Sequence, residues 1–371
     1  MVAQTIRHAT ALGLHLDVLP GVLSAGELRR RARVWWSLFR MEVMLSEITG
    51  RPRCVNELDI TAPLRSFAPE EEDVDTGAPT VSYLPDATYN SVELWENFLG
   101  ESRRMGEKLE SGAVPWSKLV PMRFGMSDNH FAAALELSGL SYKVGSALYL
   151  SPADLTWADV QATVRERETD LARWQNALDL SLRMDQIGET GLDPRSNLDL
   201  ELSLCSVRMI LYRPFLCEIH IEDESAESVE FNQALARAGV KAAIHMTELL
   251  PDDPVAEQVL LVLPWWSLLH LISQATAVLC LELCLNARHM QKETGDVMTA
   301  LRKALNYVWT LAPTSKSAYR AWYIYRPFVT VVAQKYRRST LMDIPEDAKM
   351  PEGWNEQDEQ MLRGVIPRLA P

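Results

Sequence analysis

Residues 24–63 read SAGELRRRARVWWSLFRMEVMLSEITGRPRCVNELDITAP, and this stretch decides the fold. Ser24, followed three residues later by Glu27, has the capping-box pattern that begins a helix, because the two side chains satisfy free amide groups of the first turn. Gly50 favours the left-handed conformation that ends a helix, and Pro52 cannot continue one. The stretch therefore predicts one long helix, followed by an extended segment that ends at Pro63.

Apolar residues recur along this helix at steps of three and four. The set consists of Leu28, Ala32, Trp35, Leu38, Met41, Leu45 and Ile48. Residues at that spacing lie on one face, so we expect this face to be buried against other helices. The adjacent Trp35 and Trp36 cannot point in the same direction. We expect one ring to enter the core and the other to cover a neighbouring helix or line a pocket.

Short motifs in and around this helix resemble the middle homology region of fungal zinc-cluster transcription factors. The residues that carry the resemblance near the N-terminus are Gly13, Leu14 and His15 of an AxxLGLH motif, Arg30, Arg31, Trp35 and Trp36. Those further along are Gly50, Arg51 and Pro52, and then Arg213, Pro214 and Phe215 within the motif Leu-x-Arg-Pro-Phe-Leu. One departure concerns an aspartate that the family often has shortly after the Trp-Trp pair, where this chain has Met41 and Glu42.

The resemblance implies a nuclear protein that controls transcription by RNA polymerase II, in which the motif residues are structural or regulatory and none is catalytic. In such proteins this domain restrains or releases an activation function, in some of them in answer to a small molecule. The expected partners are a small-molecule effector, co-regulator proteins and a second copy in a homodimer. DNA binding, and the zinc that it requires, would come from a six-cysteine module that this sequence does not contain. No cofactor is expected in the chain itself.

The composition is that of a globular chain. Hydrophobic residues make up 47% of the 371 positions, which is enough for a large core. The net charge of -13 repels phosphate backbones, so we expect no direct nucleic-acid binding. The five cysteines are scattered and odd in number, which favours reduced thiols. Cys280 and Cys284 are one helical turn apart but have no further ligands nearby in the sequence, so no metal site is predicted.

One stretch is long enough and apolar enough to cross a membrane. Residues 259–281 contain no Asp, Glu, Lys or Arg. However, Pro264, His270 and Gln274 interrupt it, and the rest of the chain has no membrane features. We therefore favour a buried helix at the centre of the second half, and no membrane partner.

The remaining sequence predicts an all-α array of antiparallel and crossing helices, because no region alternates apolar and polar residues as a strand does. Further helices are predicted at residues 1–16, 90–109, 127–150, 157–182, 197–212, 231–250, 265–286, 297–309 and 317–337, the last kinked by Pro327. Residues 1–342 are predicted to form one helical domain with an acidic loop at 62–89. Residues 343–371 read as a proline-containing tail with one weak helix near 356–365.

An all-helical enzyme of the isoprenoid-cyclase type is the alternative function. Such an enzyme needs aspartate-rich motifs so that magnesium can hold a diphosphate. The nearest match, Asp252-Asp253, lies in a turn between two prolines. The chain also has no glycine-rich phosphate loop, no HExxH and no GxSxG. We therefore predict that the protein is not an enzyme.

The basic and histidine residues of the motifs have structural interpretations. The arginines at positions 29–33 and 40 are expected to pair with carboxylates or to lie on a solvated face. Arg51 and Arg213 precede prolines at helix ends, where free carbonyl oxygens can accept their hydrogen bonds. His15 and His270 are expected to be core histidines and not catalytic bases.

Overall fold

The structure is a computed structural model that describes residues 2–63, 128–149, 155–183, 194–217, 224–252, 254, 263, 265–336 and 347–365. Within these ranges every regular element is a helix, so the predicted all-α class is confirmed. The described residues form two compact units. One contains the residues up to Leu200, and the other contains those from Glu201 onward.

The first unit begins with two helices that pack on each other, α1 (Val2–Ala11) and α2 (Ala25–Thr49). Both predicted ends of α2 are confirmed. Ser24 accepts from the backbone N–H of Glu27, and the Glu27 side chain accepts from the backbone N–H of Ser24. At the other end Gly50 has a φ of 61°, the left-handed conformation that glycine adopts without a steric cost.

The buried face of α2 differs from the predicted stripe. Met41 and Ile48 are exposed. Ala32 and Trp35 of the predicted stripe are buried, and the other buried residues are Trp36, Phe39, Glu42 and Val43. The predicted set advances by fewer than 3.6 residues per step on average, so it rotates around the helix axis and leaves the core toward the C-terminus. Both tryptophan rings enter the core, and not only one as expected. Neighbouring residues of a helix point about 100° apart, and the buried face of α2 is wide enough to include both directions.

Two further helices and the start of a third complete the first unit. They are α3 (Asp128–Tyr149), α4 (Trp157–Ala177) and α5 (Pro194–Tyr212). Helix α3 packs against both α2 and α4. The prediction that α4 continues to residue 182 was wrong, because Leu178 adopts an extended conformation and a short 3-10 turn follows. Arg183 then donates hydrogen bonds to the carbonyl oxygens of Asn176 (2.8 Å) and Leu178 (3.2 Å), which satisfies this helix end.

The second unit contains the remainder of α5 and five further helices. These are α6 (Ala226–Glu248), α7 (Trp265–Cys284), α8 (Thr294–Leu311), α9 (Lys316–Tyr336) and α10 (Glu356–Val365). Helix α5 ends at Tyr212 and is followed by a 3-10 turn, as the Arg213-Pro214 pair predicts. Helix α6 begins before the predicted residue 231, because Ser225 caps it by accepting from the backbone N–H of Ser228.

Helix α7 lies at the centre of this unit, in contact with α6, α8 and α9. The predicted central apolar helix is therefore confirmed. Its segment Ser267–Cys284 meets the length and hydropathy of a membrane span, and 61% of the segment is buried within the protein. Among the described helices it is the one that does so, and core helices of folded proteins commonly meet the same criteria.

The C-terminal segment packs on α9 through α10, which confirms the weak helix predicted near 356–365. Asp358 accepts hydrogen bonds from Lys316 and Arg320 of α9. Pro327 lies inside α9, as predicted. The predicted helix at 90–109, almost all of the predicted acidic loop and the predicted boundary at 342 lie outside the described residues.

Candidate functional site

The N-terminal motif residues meet where α1 ends. Gly13 has a φ of 66°, the left-handed conformation that follows the end of a helix. Arg31 of α2 donates from Nη2 to the carbonyl oxygens of Leu12 (3.2 Å) and Gly13 (3.1 Å). These oxygens belong to the turn that follows Ala11, the last residue of α1, and that of Gly13 also accepts from the backbone N–H of Leu16. Arg31 therefore fastens the end of α1 to α2.

His15 joins this contact through its ring and through its backbone. The ring packs against Trp35, with 5.4 Å between the centroids, and Leu14 packs on the same apolar core. The carbonyl oxygen of His15 accepts hydrogen bonds from the backbone N–H groups of Thr61 and Ala62, each at 2.9 Å. His15 is half-buried beside this core, and its backbone also holds the segment that follows α2.

That segment, residues 51–62, is held to α2 by Glu42. The Glu42 side chain is buried, and its Oε1 accepts from the backbone N–H of Cys54 at 2.9 Å and from the Cys54 thiol at 3.0 Å. Burial and the hydrogen bond to Glu42 raise the pKa of the Cys54 thiol to about 11. Sequence analysis noted Glu42 only as a departure from the family pattern. The sequence did contain a sign that Glu42 is buried, because it lies on α2 beside the apolar residues Phe39 and Val43.

Arg53 holds the same segment to α3. Its Nη1 donates to the carbonyl oxygen of Tyr142 (2.6 Å) and to Ser146 Oγ (3.0 Å), and the guanidinium carbon lies 4.1 Å from the centre of the Tyr142 ring. Glu47 of α2 lies 4.0 Å away and supplies a carboxylate partner. A Cβ atom at Gly145 would stand 2.6 Å from Arg53 Nη2, so this glycine permits the close approach. Segment 51–62 thus connects α1, α2 and α3.

The role expected of Arg51 therefore belongs to neighbouring arginines. Arg51 and Pro52 are both exposed, as is Arg30. Arg31 binds the carbonyl oxygens at the end of a helix, and Arg53 binds a carbonyl oxygen within one. Sequence reasoning did not single out Arg53, because its partners lie about ninety residues away in the chain.

An open cleft of about 620 Å³ lies beside Arg53, between α3 and α4. Its lining residues are Tyr142, Lys143, Ser146, Ala147, Glu166, Arg167 and Asp170. Arg167 forms an ion pair with Asp170 at 2.7 Å. Most of the lining residues carry a polar or charged group, but the surface that they present to the cleft is mainly apolar, as is usual for ligand pockets.

A second ionic group surrounds Asp199, which contacts Arg40 of α2 and His130 of α3. Arg40 Nη2 stands 2.7 Å from Asp199 Oδ2, and His130 Nε2 stands 3.2 Å from the same oxygen. Burial favours the neutral form of Asp199, but Arg40 and His130 outweigh it and hold the pKa of this carboxyl well below its usual range. Arg33 likewise pairs with Asp128. The expected pairing of α2 arginines with carboxylates is confirmed for these two.

The remaining motif lies in the second unit. Phe215 is buried and meets Phe231 edge-on, with 6.0 Å between the ring centres, while Arg213 is exposed. Burial, together with the charge of Arg213, lowers the pKa of His270 to about 4. The His270 ring is therefore neutral at physiological pH. The predicted motif residues thus fall into three groups, at the α1–α2 contact, at the C-terminal end of α2 and in the turn after α5.

One group in the second unit has the donor atoms of a metal site. Ligand atoms of Glu201, Cys205 and His245 all lie within 4.8 Å of one another, and this is the group of three that the described residues contain. The group does not include Cys280 or Cys284, the cysteine pair that the sequence places one helical turn apart. In the sequence, the available signal was Glu201 four residues before Cys205 on one helix. The third donor, His245, could not be found from spacing because it lies on a different helix.

Residues 1–115 match the model of the fungal specific transcription factor domain. The chain is similar to the transcription regulator galc of Aspergillus niger, with 23% identity over 406 aligned positions that cover 98% of this chain and 47% of the relative. It is also similar to the transcription factor asqA of Emericella nidulans, with 35% identity over 140 positions that cover 32% of this chain and 25% of the relative.

This chain spans about half the length of the first of these relatives and a quarter of the second. No solved structure matches it significantly. Both curated relatives are named for transcription and not for catalysis, so the comparisons support a role in fungal transcription regulation and do not favour the cyclase alternative. The resemblance inferred from the motifs is confirmed for the N-terminal part of this chain, where residues 1–115 match the fungal specific transcription factor domain.

Proposed function

We propose that this chain is the regulatory, effector-responsive part of a fungal zinc-cluster transcription factor that acts in the nucleus and catalyses no reaction. DNA binding and its zinc are supplied by a separate module. The observation that carries the proposal is the matched domain, in which the motif residues Arg31 and His15, together with Arg53, connect the end of α1, α2 and α3. Side chains in these positions set the geometry of helices and do not form a reaction centre.

The charge of the chain supports the separate DNA-binding module. The net charge is -13, and Arg33 and Arg40 are already paired with carboxylates of the protein. Little basic surface is therefore left on α2 for phosphates. In a gel-shift assay at physiological salt, we expect the isolated chain to show no sequence-dependent DNA binding. A specific shift at nanomolar protein would contradict this part of the proposal.

A reporter assay tests the regulatory role directly. The full chain is fused to an unrelated DNA-binding domain and an activation segment, and reporter output is compared with that of the same fusion without the chain. We expect the chain to change the output at equal protein abundance. Arg31→Ala should weaken the effect because it detaches α1 from α2, whereas Val34→Ala, at an exposed position of the same helix, should not. Equal output with and without the chain would overturn the proposal.

We further propose that the cleft between α3 and α4 receives a polar small-molecule effector, with co-regulator proteins as the other class of partner. Lys143, Glu166 and Asp170 supply charged groups of both signs around it. In the reporter assay, Lys143→Glu should alter the response to an effector found by screening, while the melting temperature stays unchanged because Lys143 is exposed. An unaltered response would remove the cleft from the proposal and leave the regulatory role standing.

A further inference from the structure

We propose that Glu201, Cys205 and His245 form a binding site for Zn²⁺ or a similar borderline-soft divalent cation, which joins α5 to α6 within the second unit. Glu201 and Cys205 lie four residues apart on α5 and so share one face of that helix. His245 comes from the last turn of α6, and its Nε2 lies 3.1 Å from Glu201 Oε1. Three donor atoms from two packed helices therefore converge on one point.

The spacing of these atoms is close to that of a zinc site. Zinc bonds of about 2.0 Å to nitrogen and oxygen and about 2.3 Å to sulfur place tetrahedral ligand atoms roughly 3.3–3.7 Å apart. The three donor atoms here lie within 4.8 Å of one another. A small rotamer adjustment is enough to bring them onto one ion.

The chemistry of the donors selects the class of cation. A thiolate, an imidazole and a carboxylate are the ligands of zinc and related transition metals, whereas magnesium and calcium prefer oxygen atoms alone. The thiolate and the carboxylate together carry two negative charges, which a divalent cation neutralises. Burial of the ion at this place therefore leaves no net charge inside the protein.

The position of the cluster allows entry and a fourth ligand. Cys205 is buried, while 44% of the His245 side chain is exposed. The sulfur therefore lies inside and the imidazole at the surface, so that a cation can arrive from solvent and keep a water molecule. Three protein ligands with one open position is the arrangement of zinc sites that retain a water.

An outer partner for the imidazole is also present. His245 Nδ1 lies 3.7 Å from Glu248 Oε2. Histidine ligands of metals usually donate their second ring N–H to a carboxylate or a carbonyl oxygen, which orients the ring. Glu248 is placed to accept that bond when Nε2 faces the cation.

The competing state is the protonated one. Without a cation, Glu201 raises the pKa of His245 through their hydrogen bond, and burial together with Glu201 raises the pKa of the Cys205 thiol, although Arg208 opposes the latter. On binding, the Cys205 S–H bond breaks, the sulfur–metal bond forms and the proton passes to water. An imidazolium at His245 loses its proton in the same way. Protons therefore compete with the cation.

The test uses the full chain after removal of metal with a chelator. Zn²⁺ is titrated in competition with a chelating indicator, and Co²⁺ is used as a spectroscopic substitute. We expect one equivalent of Zn²⁺ to bind, and Co²⁺ to show an intense thiolate charge-transfer band in the near ultraviolet. Both signals should be lost in Cys205→Ser and in His245→Gln. They should persist in Cys280→Ser, which removes another buried thiol.

Three results would overturn the site: no Zn²⁺ uptake by the wild-type chain, uptake unchanged by Cys205→Ser, or equal loss in Cys280→Ser. Far-ultraviolet circular dichroism of the metal-free variants checks that each one folds. If Cys205→Ser fails this check, His245→Gln and Glu201→Gln decide the outcome, because both side chains reach the surface and their substitution leaves the core intact.

Discussion

The guanidinium of Arg53 crosses helix α3 at Gly145, where an added Cβ atom would stand 2.6 Å from Arg53 Nη2. The side chain that comes so close is only 6% exposed and is bound to Tyr142 and Ser146. The segment after α2 therefore depends on the absence of a side chain at one position of a different helix.

Substitution of Gly145 tests this relationship, with Gly139 of the same helix as the control. Gly139→Ala should stabilise the protein by about 1 kcal/mol, because alanine favours a helix and nothing lies within 4 Å of the new Cβ. Gly145→Ala should stabilise less or destabilise, because Arg53 must give up its hydrogen bonds. Denaturant unfolding measures both effects.

A double variant separates the two causes. In an Arg53→Ala background the obstruction is gone, so Gly145→Ala should recover the stabilisation of about 1 kcal/mol that a helical alanine supplies. If the two glycine substitutions stabilise the wild-type protein equally, the close approach of Arg53 does not exist.

The ionic group around Asp199 makes a second prediction. Arg40→Met leaves the carboxylate without its closest partner, so the free energy of unfolding at pH 7 should fall by about 3 kcal/mol. The variant Arg40→Met with Asp199→Leu should recover most of that loss, because no uncompensated charge remains. A single variant as stable as the wild type would show that the pair contributes nothing.

The low pKa of Asp199 also predicts a pH dependence. Unfolded Asp199 binds a proton near pH 4, whereas the folded carboxyl stays ionised to lower pH. Its contribution is therefore fully present above about pH 4 and is lost as the pH falls further. We would measure the free energy of unfolding by fluorescence from about pH 5 to about pH 2. This free energy should fall less with decreasing pH in Asp199→Asn than in the wild type.

His270 makes a prediction in a different pH range. Its pKa of about 4 lies below the ordinary value of 6.5, so between these values the unfolded state binds a proton that the folded state does not. Stability is fully present above pH 6.5 and declines as the pH falls toward 4. His270→Phe should flatten this decline in melting temperature. An identical pH profile for the variant would show that the ring is hydrated.

Cys54 should be slow to react, although the residue is exposed. A thiol pKa of about 11, in place of 9.0, lowers the thiolate fraction about a hundredfold. Alkylation of Cys54 at about pH 8, below the ordinary pKa of a thiol, should therefore be slow. Mass spectrometry measures its rate. Glu42→Gln removes the adjacent negative charge and should accelerate it. Equal rates in the two proteins would separate the thiol from Glu42.

Both ends of α2 and the end of α5 could be predicted from the sequence because they depend on residues only a few positions apart. Ser24 with Glu27 begins α2, Gly50 ends it and Pro214 ends α5, each through a local hydrogen bond or a local steric conflict. The apolar composition of α7 similarly marked it as the centre of its unit, since a helix whose first 17 residues carry no charge must be buried on most of its faces.

The buried charges and the site chemistry depend on pairs of residues that are distant along the chain. Arg40 meets Asp199 across 159 residues, and Glu201 meets His245 across 44. The spacing of residues within one helix does not predict which residue of another helix they will contact. The helical pattern also left the orientation of α2 undecided over its second half, where Glu42 and not Met41 faces the core.

Local sequence was thus sufficient for both ends of α2, for the end of α5 and for the resemblance of the N-terminal part to a family, since all of these reside in short motifs. The end of α4 and the start of α6 were predicted wrongly. Packing alone decided that Arg53 and not Arg51 binds helix carbonyl oxygens, and that a glutamate, a cysteine and a histidine converge between α5 and α6. The physical reason is that capping energies act within one helical turn, whereas ion pairs and metal ligands form wherever folding brings complementary groups within bonding distance.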